Sequence, residues 1–259
     1  MRKISCSIPL LAVSCCGAYA QPAMDTEIAP TGKFRVGMNA NNSTLTISNA
    51  DGTVSGLSVD LGRFIAGRLG VAFEPVLYES SSPFTASFGK SEWDIVITGK
   101  NAVVGKLVDF SSDPFLIEYV YLAAPGRQFA DAGQVDRPGI TIAVPRNASA
   151  DVFLSKALKS AQLVRVDGDM NVAIEFLRAG KADVYASSIN TLRAMAAHMP
   201  EAKIVPGAFN IVTFSVATRK GLSPAAQSKL AQMVDEAKAA GIVQKGLEQA
   251  GAKGVRIAP

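Results

Sequence analysis

Residues 94–125 read DIVITGKNAVVGKLVDFSSDPFLIEYVYLAAP, and this stretch decides how the rest of the chain is organised. It opens with a short apolar run, Ile95, Val96 and Ile97, that ends at Thr98 and Gly99. A polar loop follows, then VDFSSDPF at 108–115, then a second apolar run at 119–124. Short apolar runs bounded by turn residues read as buried strands. Pro114 cannot continue a helix and biases Asp113 toward an extended conformation. A buried strand, a loop at its C-terminal end and a further strand make a ligand-binding edge in an open α/β sheet, where ligands sit outside the carboxyl ends of the strands.

On the N-terminal side, residues 34–38 read as a first strand, followed by the turn-prone polar run 39–42. Asn49, Ala50, Asp51 and Gly52 form a hairpin-like turn between alternating Leu45, Ile47 and Val54. Ser58 is placed to cap a helix whose apolar positions Leu61, Phe64, Ile65 and Leu69 recur at spacings of three and four, with Gly70 as the stop. Residues 72–77 are a second strand. The polar loop 78–83 ends at Pro83, a suitable opening residue for a short helix carrying Phe84 and Phe88. Strand, helix, strand, helix, strand is the pattern of a parallel sheet covered on both faces. The Pro- and Ala-containing run 21–31 reads as a mobile lead-in.

On the C-terminal side, residues 125–138 are loop-like, and a second series of strands and helices begins after them. Strands are expected at 140–144, 163–166 and 184–186, and helices from Ser149, Asp169 and Asn190. Ser149 is a natural N-cap, with Asp151 set favourably against the helix dipole. Asp169 caps a helix that turns Ala173, Ile174 and Leu177 inward. Residues 212–217 are one apolar strand that returns to the first series. Ser223 and Pro224 open a helix through Leu230, Met233, Val234 and Ala237, closed by Gly241, and a last short helix covers 242–250.

Composition narrows the function. The chain has 259 residues, 48% of them hydrophobic, enough to bury a sizeable core. Arg2 and Lys3, the apolar run 4–16 and Ala18-Tyr19-Ala20 have the layout of a cleaved export leader ending at Ala20. All three cysteines, Cys6, Cys15 and Cys16, fall inside it, so the mature protein is expected to hold no thiol, disulfide or cysteine metal site. A partial lipoprotein box at 12–15 lacks the usual Leu, so lipid anchoring through Cys15 is the lesser expectation. Without the leader the chain carries 24 basic and 22 acidic groups, which excludes the concentrated basic face of a nucleic-acid binder. His198 is the single histidine, too little for a zinc site; a Ser-His-Asp triad would have to use it, and its place on a helix just before Met199 and Pro200 reads instead as a surface or half-buried position. Gly62 and Gly67 have P-loop spacing without the following Lys, inside an amphipathic helix. No cofactor and no metal are expected.

The polar residues at predicted strand ends are the candidate ligand contacts. They are Asn39, Asn41, Ser80, Ser81, Ser82, Thr98, Gly99, Lys100 and Asn101 from the first series, and Arg146, Ser149, Ser188 and Asn190 from the second. A helix start at Ser149 offers free amides to an anion, and the Arg146 guanidinium beside it suits a carboxylate or phosphate.

The motifs DIVI and VDFSSDPF, together with GLSVDL at 56–61 and GKADV at 180–184, resemble the family 3 periplasmic solute-binding proteins of ABC importers over residues 32–251. The resemblance implies an α/β, two-lobed periplasmic binding protein (type II) fold. Its sheets are parallel-rich, and the second lobe is inserted into the first. Lobe 1 would span 33–124 with 212–259 and lobe 2 would span 125–211, with two crossing strands near 119–125 and 210–217. It also implies a periplasmic monomer that closes on a small-molecule solute and delivers it to the membrane permease of an ABC importer. Amino-acid binders of the family carry an arginine six residues before the Phe of the DFS motif and an aspartate five residues after the Asp of GKxD. Here those positions are Val104 and Ser188, and the loop 98–109 is two residues shorter than the family norm. An unpaired buried ammonium or carboxylate is costly, so ordinary α-amino acids are not expected as ligands. The donors Arg146, Ser149, Asn101 and Lys100 suit a small anionic solute such as an organic acid. Two other readings are a sensing module for a membrane partner and a dehydratase-like enzyme on the same fold. The enzyme needs a cleft acid or base, and Glu79 is the one carboxylate near a candidate loop.

Overall fold

The computed structural model describes residues 21–49, 51–252 and 254–258. The leader, its cysteines and Ala50 of the predicted turn lie outside these residues. The chain does not begin with a loose lead-in: Gln21–Ile28 form helix α1. Ile28 and Ala29 are buried, Lys229 pairs with Asp25, and Ser223 donates to Glu27 from its backbone and, at 2.8 Å, from its hydroxyl. Two apolar residues and these polar contacts hold the segment where composition alone suggested mobility.

Strand β1 (Lys33–Asn39) pairs in parallel with β4 (Ala72–Tyr78), and the two are connected by β2 (Ile47–Ser48), β3 (Val54–Ser55) and helix α2 (Leu57–Leu69). β2 and β3 form the expected small hairpin. Ser58 is not the cap of α2. Gly56 holds that place at φ 102°, and Ser58 is the second helical residue. A Cβ on Gly56 would come within 2.9 Å of the Leu45 carbonyl oxygen, so the tight entry into α2 requires glycine. Helix α3 (Ser81–Ala86) places Pro83 at its third position and leaves Phe88 beyond its end, buried all the same. β5 (Ile95–Gly99) lies beside β1 and is fully buried. The buried Asp94 carboxylate pins the two together, accepting from the Arg35 backbone amide at 2.7 Å and its guanidinium at 2.8 Å.

The DFS segment, given no element by the sequence reading, is extended. It is the first half of β6 (Val108–Ala123), a 16-residue strand. Pro114 is tolerated within it because the register with β11 (Asn210–Arg219) slips there: Phe214 faces Phe115, Val216 faces Ser112, and no regular ladder bond is asked of the proline. The second series follows as β7 (Thr141–Pro145), α4 (Ser149–Ala157), β8 (Gln162–Val166), α5 (Met170–Arg178), β9 (Val184–Ser188), α6 (Ile189–Ala197) and β10 (Lys203–Ile204). After β11 come α7 (Pro224–Ala239), α8 (Ile242–Gln249) and β12 (Val255–Ile257).

The strands form one continuous sheet in the order β4-β1-β5-β11-β6-β9-β7-β8, with β10 and β12 also paired to β6. The first series occupies one end and the second series the other. Only β6 and β11, antiparallel to each other, run through the middle. This is the mixed α/β architecture of the two-lobed type II binding proteins. The carboxyl ends of β1, β5, β7 and β9 all point at the space between the two groups of helices, and that topology places the site.

Candidate functional site

A cavity lies between the two series, and about 90 Å³ of it admits the centre of a water-sized sphere. Its walls are strand ends and helix starts. Met38 and Asn39 come from β1, Thr98 and Gly99 from β5, Pro145 from β7, and Ser187 and Ser188 from β9. Tyr119 of β6 and Phe214 of β11 contribute from the central strands. The first turns of α2, α3, α4, α5 and α6 also reach it, through Ser58, Ser81, Ser149, Met170 and Thr191. Five helix N-termini therefore turn their positive dipole ends to one space, and side chains cap two of them, α5 and α6.

Eight of the predicted contact residues line this cavity: Asn39, Asn41, Ser81, Thr98, Gly99, Asn101, Ser149 and Ser188. Several already use their polar atoms to shape it. Asn39 donates to Ser81 Oγ at 3.1 Å and accepts from the Asn41 amide at 3.0 Å. Asn101 accepts from the amides of Val103 and Val104 at 2.9 and 3.0 Å, which folds the loop after β5. Ser188 caps α6 by accepting from the Thr191 amide. Ser149 is the first residue of α4 rather than its cap. The cap position is Ala148, which brings no side-chain acceptor to the helix start.

Ser80, Ser82, Lys100, Arg146 and Asn190 lie outside the lining. Ser80 precedes α3 and makes no side-chain cap bond. Lys100 Nζ turns away to Asp113 at 2.9 Å and sits 5.7 Å from the centre of the Phe110 ring. Arg146 Nε is bound to Asp167 Oδ2 at 2.7 Å. Asn190 is buried and donates to Thr44 Oγ1 at 3.3 Å. Both cations expected to meet an anion are thus answered by carboxylates of the chain itself. Sequence could not reveal this, because Asp113 and Asp167 are brought to them by strand pairing.

Ser58 and Ser187 were missed as site residues. Together with Thr98 they line the cavity, each at 8% exposure or less, and their hydroxyls have no hydrogen-bond partner among the described residues. Ser58 was read as a cap, and Ser187 lacked any signal beyond its neighbour. Tyr119 and Tyr185 were likewise unforeseen. Burial pushes the Tyr119 phenol up to about 12 and the Tyr185 phenol upward as well, with a hydrogen bond from Ser149 partly opposing the shift at Tyr119. Both hydroxyls stay protonated near neutrality. Val104 and Ser188 both line the cavity, where counting along the chain placed them. Among the described residues the only charged side chain in the lining is Asp169, whose Oδ1 accepts from the Val172 amide at 3.0 Å and so answers the start of α5. Among the described residues no cluster of potential metal ligands occurs.

The groups from the two series touch across the cavity. Asn41 Nδ2 donates to the Gly168 carbonyl at 2.9 Å, and Ser82 Oγ donates to Asp167 Oδ1 at 2.8 Å. A Cβ on Gly99 would sit 2.2 Å from Ser149 Oγ, so the absence of a side chain at Gly99 permits the start of α4 to approach β5.

Two groups of βα units, joined by two antiparallel central strands and facing each other over a polar cavity, define a solute-binding protein of the two-lobed kind. Residues 34–249 match the family model of bacterial extracellular solute-binding proteins, family 3, and the chain belongs to that family. Solved structures agree in fold. A mutant of ArgBP from T. maritima is 24% identical, with a TM-score of 0.75 over 89% of this chain and 100% of that one. A solute receptor for L-cysteine from Neisseria gonorrhoeae is 18% identical, with a TM-score of 0.76 over 87% and 92%. An ancestral amino acid-binding protein described as a precursor of cyclohexadienyl dehydratase is 21% identical, with a TM-score of 0.73 over 88% and 98%. Among curated proteins no significant sequence match was found.

Proposed function

We propose that this chain is a periplasmic receptor that closes on a small polar solute and presents it to the membrane permease of an ABC importer. In this reading lobe 1 is 33–124 with 212–259, lobe 2 is 125–211, and the protein acts as a monomer released from a leader that ends at Ala20. The observation that carries the choice of solute is the chemistry of the lining. Its unpartnered groups include the hydroxyls of Ser58, Thr98 and Ser187 and the buried Asn42 Oδ1, and among the described residues it contains no lysine or arginine side chain. Val104 and Ser188 stand where amino-acid binders of the family hold an arginine and an aspartate. A bound zwitterion would find no side-chain cation for its carboxylate, at a cost of several kcal/mol, and for its ammonium only Asp169, which already answers the start of α5.

With Arg146 and Lys100 outside the lining, an anionic group rests on helix N-termini alone. The starts of α2, α3 and α4 carry no side-chain cap bond, so they are the ones open to such a group. The solute is therefore an organic acid of low charge, or a neutral molecule rich in acceptors, with an apolar body against Phe84 and Phe214. The reading as an enzyme has less support. Proton transfer needs an acid or base in reach of the reacting atoms, Glu79 lies outside the lining, and Asp169 is engaged at its own helix.

Thermal-shift screening against organic acids, neutral polar metabolites and the standard amino acids tests this. A true ligand at 100 times its Kd adds about 2.7 kcal/mol to stability. Hits are expected among the acids and neutral solutes, and Thr98→Val should weaken them about tenfold. A micromolar response to arginine, lysine or cysteine would overturn the proposed solute class.

A further inference from the structure

One of the contacts across the mouth of the cavity, Ser82 to Asp167, is made by groups that do not line it. Register pairs Pro145 of β7 with Val166 of β8, so the residues that follow, Arg146 and Asp167, leave adjacent strand ends side by side. The Arg146 amide donates to the Val166 carbonyl at 3.1 Å, and its Nε holds Asp167 Oδ2 at 2.7 Å. This pair belongs to a single parallel ladder and needs nothing from the other lobe. The second oxygen of Asp167 is left facing outward, and there it accepts from Ser82 Oγ, at the start of α3, at 2.8 Å. One residue on, the Gly168 carbonyl accepts from Asn41.

We propose that Arg146 and Asp167 are positioning residues. Arg146 holds the Asp167 carboxylate as a preformed acceptor, and Ser82 engages it only when the lobes come together, so this triad sets how long the cavity stays closed. Resting on the reading of the cavity as a solute site closed by lobe movement, the proposal assigns Arg146 to closure rather than to the solute. A carboxylate already held by a guanidinium loses little freedom on accepting a third group, so the contact favours the closed form even at a half-exposed site.

The test is a closure trap that needs no ligand. The Cβ of a residue at 99 would lie 3.3 Å from the Cβ of Ser149, close to the ~3.5–4.5 Å of disulfides. The full chain carrying Gly99→Cys and Ser149→Cys, with Cys6, Cys15 and Cys16 changed to Ser, is exposed to oxidised glutathione. The rate of intramolecular disulfide formation then reports the closed fraction. Adding Ser82→Ala, Asp167→Ala or Arg146→Ala should slow trapping about three- to tenfold, the scale of a charge-assisted hydrogen bond discounted for exposure. Ser82→Thr should restore the parent rate, and the unfolding midpoint of the reduced protein should not change. Equal trapping rates in parent and variants would overturn the latch while leaving the binding reading intact. No trapping in the parent would show that the lobes do not meet as described, and both would fall.

Discussion

At the scale of single residues, the chain shows how position rather than type decides a role. Trp93 is the one tryptophan, 1% exposed, and its indole N–H donates to Ser87 Oγ at 2.8 Å within an edge-to-face chain of Phe84, Phe88 and Trp93. This small aromatic cluster underlies the cavity wall at Phe84 and Val104. Ser87→Ala leaves a buried donor unpaired, and a loss of about 1–3 kcal/mol is expected, read as a lower urea midpoint by circular dichroism. An unchanged midpoint would mean that water replaces the hydroxyl. Gly99 has the opposite character: it contributes space, and the helix start at Ser149 occupies it. Val104 and Ser188 were legible from counting along motifs. Arg146 was not, because its partner Asp167 lies 21 residues further on, at the end of the neighbouring strand.

At the scale of elements, α1 and β6 carry the main lessons. α1 has weak amphipathic character and was read as mobile, yet Glu27 anchors it to the start of α7. The Ser223 backbone amide and then its hydroxyl hold the Glu27 carboxyl below its ordinary value of 4.5. A lowered pKa means the anchoring is present above that ordinary value and is lost as pH falls below it. Hydrogen exchange of residues 21–28, corrected for intrinsic rate, is therefore expected to quicken between pH 6 and pH 3.5 ahead of the central strands. Glu27→Gln should exchange fast at both pH values, and a pH step persisting in that variant would assign the effect elsewhere. The sequence reading marked the apolar run 119–124 as a strand and used Pro114 only to bar a helix; a proline inside a strand is an objection to carrying that strand back to 108. The irregular pairing at Ser215 removes that objection, but it belongs to the partner strand and is not visible in residues 108–123 themselves.

At the scale of the whole molecule, β11 is the keystone. It enters the sheet between β5 and β6, although nearly ninety residues of chain separate it from β6. The fully buried faces of Ile95, Phe115 and Ile117 are covered only when the C-terminal part of the chain has returned. A chain ending at residue 124 is expected to remain unfolded or aggregate, as shown by a collapsed proton NMR spectrum and the absence of a cooperative thermal transition. Cooperative folding of that fragment would contradict a discontinuous first lobe. Long-range pairing of this kind also predicts that ordering of the central strands awaits synthesis of β11.

What the sequence by itself determined was the alternation of strands and helices, the two series, the returning strand, and the polar character of the strand ends. These follow from local physics: apolar periodicity, glycine and proline stops, and caps such as Asp169, Ser188 and Ser223 whose partners are three residues away. Tertiary structure alone decided which polar groups remain free. Lys100 and Arg146 carry the charges a reader of sequence would assign to a ligand, yet Asp113 and Asp167 neutralise them from other strands. Ser58 and Ser187 look like ordinary serines, yet burial beside a cavity leaves their hydroxyls without a partner among the described residues. A side chain's availability depends on everything packed around it, and that is settled only when strands far apart in sequence lie side by side.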